Sequence, residues 1–457
     1  MKALHALGLR GAAAQLAAGT VTSEALVTAC AERIHALEPR VMAWQAFDRA
    51  GVLEAARAAD HDLAASRGAA AADPAAALPW AERGFLYGVP VGVKDIIDVA
   101  GYPTGMGSER YASHQPAGSA ELVQRMAASG ALVMGKTVTT EFAFMQPSRT
   151  TNPWNPAHSP GGSSSGSAAA VACGMVPAAI GTQTNGSVIR PAAFCGLVGF
   201  KPDRDLISTA GVLAFSPTFD QPGVFARSVA DAGLLASWLT RRTGVLGHQI
   251  IPARTAPRLA AVRTALWDRV QTAQAQRFAA DIELLRAAGA AVDEVELPRA
   301  FDDVWKVHRL IMLREAAQLA RPMRTLHRDA LSDTLNRALD EGEAISDSAY
   351  GDAMKARQAL LSAFERFLDR GYGAVITVPA AGEAPHGLDS TGDPAFCTPW
   401  TLLCTPAITL PTGLGPKGLP LGLQVVGRRG ESNYLLAAAA WCEAQLPFKA
   451  LVAREPA

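Results

Sequence analysis

Residues 159–181 read SPGGSSSGSAAAVACGMVPAAIG, a block of serine and glycine that runs without a break into small apolar residues. A flexible linker of that composition would lead into polar sequence. This one leads into a segment that must be buried, so the block is a tight backbone feature at the edge of a core. Its glycines permit unusual dihedrals and its amides can point inward. A second such element follows at 181–196, GTQTNGSVIRPAAFCG, where Asn185 and Gly186 both tolerate left-handed backbone.

The rest of the chain alternates between helical and strand patterns. Thr22-Ser23-Glu24 is a helix-start signal for an amphipathic segment to residue 36, and an alanine-rich helix follows to residue 66. The small-residue run 67–79 reads as an exposed connector. Residues 85–98 (FLYGVPVGVKDIID) read as a buried strand, 120–129 as helix, 131–134 as a short strand and 167–174 as a small-residue helix. Residues 225–370 are mostly helical by periodicity, RSVADAGLLASWL being the clearest case. Residues 373–379, 407–411 and 421–427 read as buried strands and 433–445 as a closing helix. This alternation predicts an α/β fold, a three-layer α/β/α arrangement with a large mixed, mostly parallel central sheet covered by helices on both faces. Length alone suggests two or three domains, but one large α/β domain over 1–457, with 49% hydrophobic residues to fill its core, is also permitted and is the organisation expected here. Within it 1–75 are N-terminal helices, 85–225 the core with both glycine–serine elements, 230–370 a helical region covering a pocket, and 371–457 strands and a helix returning to the sheet.

Lys plus Arg and Asp plus Glu both number 42, so nothing points to nucleic acid or an anionic membrane surface, and a small molecule is the expected partner. Cys30, Cys173, Cys195, Cys397, Cys404 and Cys442 are scattered, with no CxxC pair and no histidines at ligand spacing. They read as buried thiols in a reducing compartment, with no metal site. Arg10 interrupts the apolar N-terminal run and no run reaches the length of a membrane span, so a cytoplasmic protein is expected.

Two short motifs are decoys. Residues 130–137, GALVMGKT, match GxxxxGK[ST], but phosphate cradling needs a flexible loop and Ala-Leu-Val-Met should itself be strand. Residues 162–166, GSSSG, match the GxSxG nucleophile elbow around Ser164. The elbow needs a strand feeding it, and TTNPWNPAHSP cannot be a central strand. A serine esterase built on Ser164 would also need a downstream histidine, and His386 is the candidate; His158 precedes the serine and has no obvious orienting acid.

The stronger constellation joins the two glycine–serine elements to Lys94. A turn through Thr184-Asn185-Gly186-Ser187 can aim successive N–H groups at one point, as an oxyanion hole does, with the Ser187 hydroxyl beside it. No histidine is placed to serve Ser187 as base. Lys94 ends an apolar run, where burial would lower its pKa and free a neutral amine; the alternative is a lysine ion-paired to Asp95 or Asp98.

Together, VPVGVKDIIDVAGYPTGMGS, GKTVTTEFA, NPWNPAHSPGGSSSGSAAAVACG and GTQTNGSVIRPAAFCGLVGFKPD resemble the amidase signature family in order and spacing. The likeness continues through SPTFDQPGVFARSVADA and PAITLPTGLGPKGLPLGLQVVGR and is weakest at 230–370. It implies a Ser–cis-Ser–Lys triad with Ser187 as nucleophile, Ser163 as the relay on a cis peptide bond and Lys94 as base, without a cofactor. It implies cleavage of an amide, carbamate (urethane), urea or ester of a small molecule through an acyl- or carbamoyl-enzyme. Some members are instead components of larger amidotransferase complexes, and a homodimer is also compatible. Ser165 stands where the family has glycine, Asp203 where it has threonine, and Arg190 is displaced to three residues after the nucleophile. That variant resembles the malonamidase-like branch, where an arginine meets a substrate carboxylate; pairing with a structural acid is the other reading. Trp154, Met145, Phe144 and Gln183 are further candidates for the pocket wall, and each could equally be core.

Overall fold

A computed structural model of the chain describes residues 3–72, 85–241, 246–450 and 452–453. The strands in chain order are β1 (Trp44–Ala46), β2 (Pro90–Lys94), β3 (Leu132–Thr137), β4 (Ala178–Gln183), β5 (Val198–Lys201) and β6 (Gln221–Ala226). Then come β7 (Leu259–Val262), β8 (Val292–Val295), β9 (Ala374–Thr377), β10 (Ala407–Leu414) and β11 (Pro420–Val426). All eleven join one mixed sheet in the order β1-β3-β2-β4-β6-β5-β10-β11-β9-β7-β8.

The expected large mixed sheet is therefore present, but its pairing is less parallel than the alternating pattern implied. Parallel pairs are confined to β3–β2–β4 and β9–β7–β8. The middle runs antiparallel from β4 through β6, β5, β10 and β11 to β9. Only one of these pairs has a local cause: β10 and β11 are joined by a short turn, which permits only antiparallel pairing.

Each element near the centre has a sequence reason. β2 is PVGVK, buried at every position, with its proline at the first residue, where a missing N–H is tolerated. The helix Ser165–Ala172 is SGSAAAVA, also buried at every position. Its small side chains let its backbone lie close to β2, β3 and β4, and it ends at Gly174, in left-handed backbone with φ +70°. The connector read at 67–79 is helical to Ala72, inside the helix Arg49–Ala72; its remainder lies outside the described residues.

The 230–370 region is mainly helical, but it contains β7 and β8, which periodicity misses. LAAV and VDEV are four residues each, too short to show a period of two. The helices Asp333–Ala344 and Asp347–Leu368 start at Ser332 and Ser346, whose hydroxyls accept from the backbone N–H groups of Leu335 and Ala349. Together with Val304–His327 they form a second apolar core around Phe364 and Trp400. All six cysteines are free and buried, as expected. Among the described residues no helix is long and apolar enough to cross a membrane.

Candidate active site

Lys94 is the last residue of β2 and is fully buried. Its Nζ donates to Ser163 Oγ at 2.7 Å and to Thr182 Oγ1 of the neighbouring strand β4 at 2.8 Å. It makes no ion pair among the described residues. Asp95, the nearest acid in sequence, is taken by Lys136 of β3, with Nζ 2.9 Å from Oδ1. The reading of Lys94 as half of an ion pair with Asp95 therefore fails, because the two side chains leave the strand end in opposite directions. The same contact disposes of the phosphate-loop motif: Lys136 lies inside β3, buried, and also donates to Pro103 O and Thr104 Oγ1.

Burial pushes the Lys94 amine down to about 7, and the carboxylate of Asp220 pulls it partly back. Asp220 accepts from Thr184 Oγ1 at 2.6 Å and from the backbone N–H groups of Phe215 and Ser216 at 2.8 and 2.9 Å. Burial holds Asp220 itself up at about 6 despite those hydrogen bonds.

Ser163 follows a cis peptide bond from Gly162. Gly161 has φ +82°, and a Cβ there would lie 2.8 Å from Pro191 Cα, so the segment takes a path that only glycine allows. The next serines are turned elsewhere. Ser164 Oγ donates to Thr182 O and accepts from Thr182 N, both at 3.2 Å. Ser165 Oγ lies 2.7 Å from Ser148 Oγ. The nucleophile-elbow reading of Ser164 is thereby corrected: its hydroxyl is fully buried and committed to the edge of β4. The histidines do not rescue it. His158 and His386 pack edge to face at 5.2 Å, and His158 Nδ1 is 2.8 Å from Ala384 O.

Ser187 sits in the turn between β4 and the helix Ile189–Phe194. Gln183 shapes that turn. Its Oε1 accepts from Val188 N at 2.8 Å and Ile189 N at 3.0 Å, and its Nε2 donates to Thr401 Oγ1 at 3.0 Å. From the helix Thr398–Leu402, Thr401 Oγ1 donates to Asn185 O at 2.5 Å and Thr398 Oγ1 to Asn185 Oδ1 at 2.7 Å. His308 closes the other side, with Nε2–H donating to Thr184 O at 3.0 Å; burial lowers this imidazole to about 4, so it is neutral. The N–H groups of Asn185, Gly186 and Ser187 have no protein acceptor among the described residues.

These amides and Ser187 open on a cavity of about 600 Å³, a size that suits a small-molecule ligand. Phe144 and Met145 line it, as do Phe215, Trp305 and Met312. Two sequence candidates are not on its wall. Gln183 is spent on the turn. Trp154 packs in a separate cluster with Phe194, Ala380 and Leu419, its Nε1 donating to Cys195 O at 2.9 Å. Arg190 borders the cavity but pairs with no acid among the described residues: Nη1 donates to Gly392 O at 2.6 Å, and Nη2 to Gly162 O at 2.7 Å and Thr391 Oγ1 at 3.2 Å. Sequence reasoning missed Asp220, Thr182 and His308. Asp220 stands in the SPTFD run that carries part of the family likeness, but Thr182 and His308 have no local signal. Among the described residues no cluster of three or more His, Cys, Asp or Glu side chains could hold a metal.

The profile of the Amidase family matches residues 25–436. The chain belongs to the amidase family. It is an amidase-signature hydrolase of carbon–nitrogen bonds. Among its relatives, a glutamyl-tRNA(Gln) amidotransferase subunit from Chloroflexus aurantiacus is 30% identical, over 95% of this chain and 96% of that protein. A crystal structure described only as an amidase superposes with TM-score 0.85 at 31% identity, over 96% of this chain and 100% of that one. The native peptide amidase of Stenotrophomonas maltophilia gives TM-score 0.81 at 26% identity, over 98% of both.

Proposed function

We propose that this amidase acts on its own on a small amide, with carbamates, ureas and esters open to the same acyl chemistry, using Ser187 as nucleophile, Ser163 as relay and Lys94 as base. The observation that carries this reading is the contact from Lys94 Nζ to Ser163 Oγ, made by a buried lysine with no ion pair among the described residues. A neutral amine takes the Ser163 proton as Ser163 takes that of Ser187. Ser187 Oγ attacks the carbonyl carbon, and the free amides of 185–187 receive the oxyanion. The C–N bond breaks as Ser163 hands a proton to the leaving nitrogen. Water then enters by the reverse relay and releases the acid.

The test is intact-mass spectrometry after incubation with a fluorophosphonate, on wild type, Ser187→Ala, Ser164→Ala and Lys94→Ala. The adduct is expected to vanish in Ser187→Ala, collapse in Lys94→Ala and persist in Ser164→Ala. A label that follows Ser164 overturns the assignment.

A second reading has one observation behind it: the full-length likeness to a component of a glutamyl-tRNA(Gln) amidotransferase. In that reading the chain works inside a complex with other proteins. Equal numbers of acidic and basic residues weigh against direct contact with tRNA. Isolation from its native host as a stable hetero-oligomer would favour the second reading.

A further inference from the structure

A second cavity, of about 520 Å³, lies beside the one that holds Ser187. It opens at the carboxyl ends of the parallel strands β7 and β8, where the chain continues through Arg263 and Thr264 and through Glu296 and Leu297. Crevices at such strand ends are common ligand positions in open α/β sheets. The two cavities have two wall residues in common, Asp302 and Trp305. Trp305 stands at the start of the helix Val304–His327, and its indole Nε1 donates to Ala395 O at 2.8 Å. The segment it is clamped to divides the space in the same way. Pro394, Ala395 and Thr398 face the Ser187 cavity, and Pro399 faces the second.

We infer that Trp305, held against Ala395, is the residue that sets the length of substrate accepted beside Ser187. The inference rests on the amide-hydrolase reading above and names its specificity element. With the indole in place the pocket ends at the partition and selects compact amides. Without it the two cavities become one, and a longer arm passes into a chamber walled by Phe301, Trp267 and Val295. Arg263, Glu294, Glu296, Arg299 and Asp302 also line that chamber, and among the described residues its one buried handle without a partner is a hydroxyl. Thr264 is 5% exposed and lines it, and its hydroxyl has no partner among the described residues. An apolar arm ending in a hydrogen-bonding group is the chemistry the opened space would take.

The test is a series of 4-nitroanilides of linear acids, from butanoic to decanoic, given to wild type, Trp305→Ala and Trp305→Phe. Each methylene newly taken out of water is worth about a factor of four, so Trp305→Ala should raise the decanoyl-to-butanoyl ratio of kcat/KM by about ten-fold or more. Trp305→Phe, which keeps a ring in the partition but loses the hydrogen bond to Ala395, should give a ratio between those of wild type and Trp305→Ala. The same ratio is read without turnover as Kd by calorimetry, with butanamide and decanamide on Ser187→Ala and on Ser187→Ala/Trp305→Ala. Failure of every anilide to turn over would therefore count against the hydrolase reading alone. An unchanged binding ratio in a variant with wild-type circular dichroism and Tm would overturn the role of Trp305. In the opened variant, 8-hydroxyoctanamide should bind more tightly than octanamide, and Thr264→Val should erase the difference; a preference that survives Thr264→Val overturns the polar handle.

Discussion

Arg190 Nη2 donates to the carbonyl oxygen of Gly162 at 2.7 Å, tying the helix after Ser187 to the peptide bond before Ser163. One buried guanidinium thus holds together the two glycine–serine elements, which are separate in sequence. Its planar fork spans Gly162 O, Thr391 Oγ1 and Gly392 O at once, and an ammonium group cannot. Arg190→Lys should therefore lower kcat for neutral and carboxylate-bearing amides alike, and lower stability by about 1–3 kcal/mol through an orphaned acceptor. Steady-state kinetics on one neutral and one anionic amide, with urea unfolding alongside, check this. A rise in KM confined to the anionic amide would instead make Arg190 a substrate ligand.

The state of Lys94 predicts a pH profile. Its amine titrates at about 7, against an ordinary 10.5, because it is buried. In the proposed mechanism the neutral form is the base, so kcat/KM should rise with pH up to about 7 and level off above it. Stability moves in the same direction. Between about 7 and 10.5 the unfolded chain holds a proton on this lysine that the folded chain does not, so unfolding free energy rises with pH across that window. Burial lowers Lys136 and Lys201 as well, so the background slope is not zero. The difference between wild type and Lys94→Met in urea unfolding from pH 7 to 10 isolates this group, and the variant should show the shallower rise.

Ser164 and Ser163 are neighbours with opposite commitments. Ser164→Ala removes both hydrogen bonds to the Thr182 backbone and should lower stability by about 1–2 kcal/mol with turnover kept within a few-fold. Ser163→Ala should do the reverse, abolishing turnover at little expense in Tm. Thermal unfolding and turnover measured on the same preparations separate the two.

Lys136 and Asp95 form a buried pair in which desolvation outweighs attraction: burial pushes Asp95 up and Lys136 down despite their contact. Lys136→Met alone leaves a buried carboxyl without its partner and should lower stability by about 3–5 kcal/mol. Lys136→Met with Asp95→Leu should recover part of that loss, because an apolar pair carries no desolvation penalty, while Gly105 N, Pro103 O and Thr104 Oγ1 stay without their partners. Guanidinium unfolding of the two variants decides the point.

Much of this site was legible in one dimension. Short-range order identifies an element when its cause is local. The glycines and serines of 159–167, the Asn-Gly turn before Ser187 and the apolar run ending at Lys94 mark their own backbone conformations, and their order along the chain carries the family likeness. The helices capped by Ser332 and Ser346 are local in the same sense.

Contacts between distant segments leave no such trace. Nothing near Lys94 says that its partner across the sheet is Thr182, or that Asp95 goes to Lys136 instead. Nothing near Gln183 says that it will hold a turn rather than face a substrate, and Trp154 looks as fit for a pocket as Trp305 does. The direction of pairing at the centre of the sheet was equally hidden, since a strand's own residues do not record which neighbour it meets. Backbone conformation follows from the residues within a turn or two, whereas a buried side chain's partner, and with it the titration and role of Lys94, Asp220 and Arg190, follows from which segments the packed core brings together.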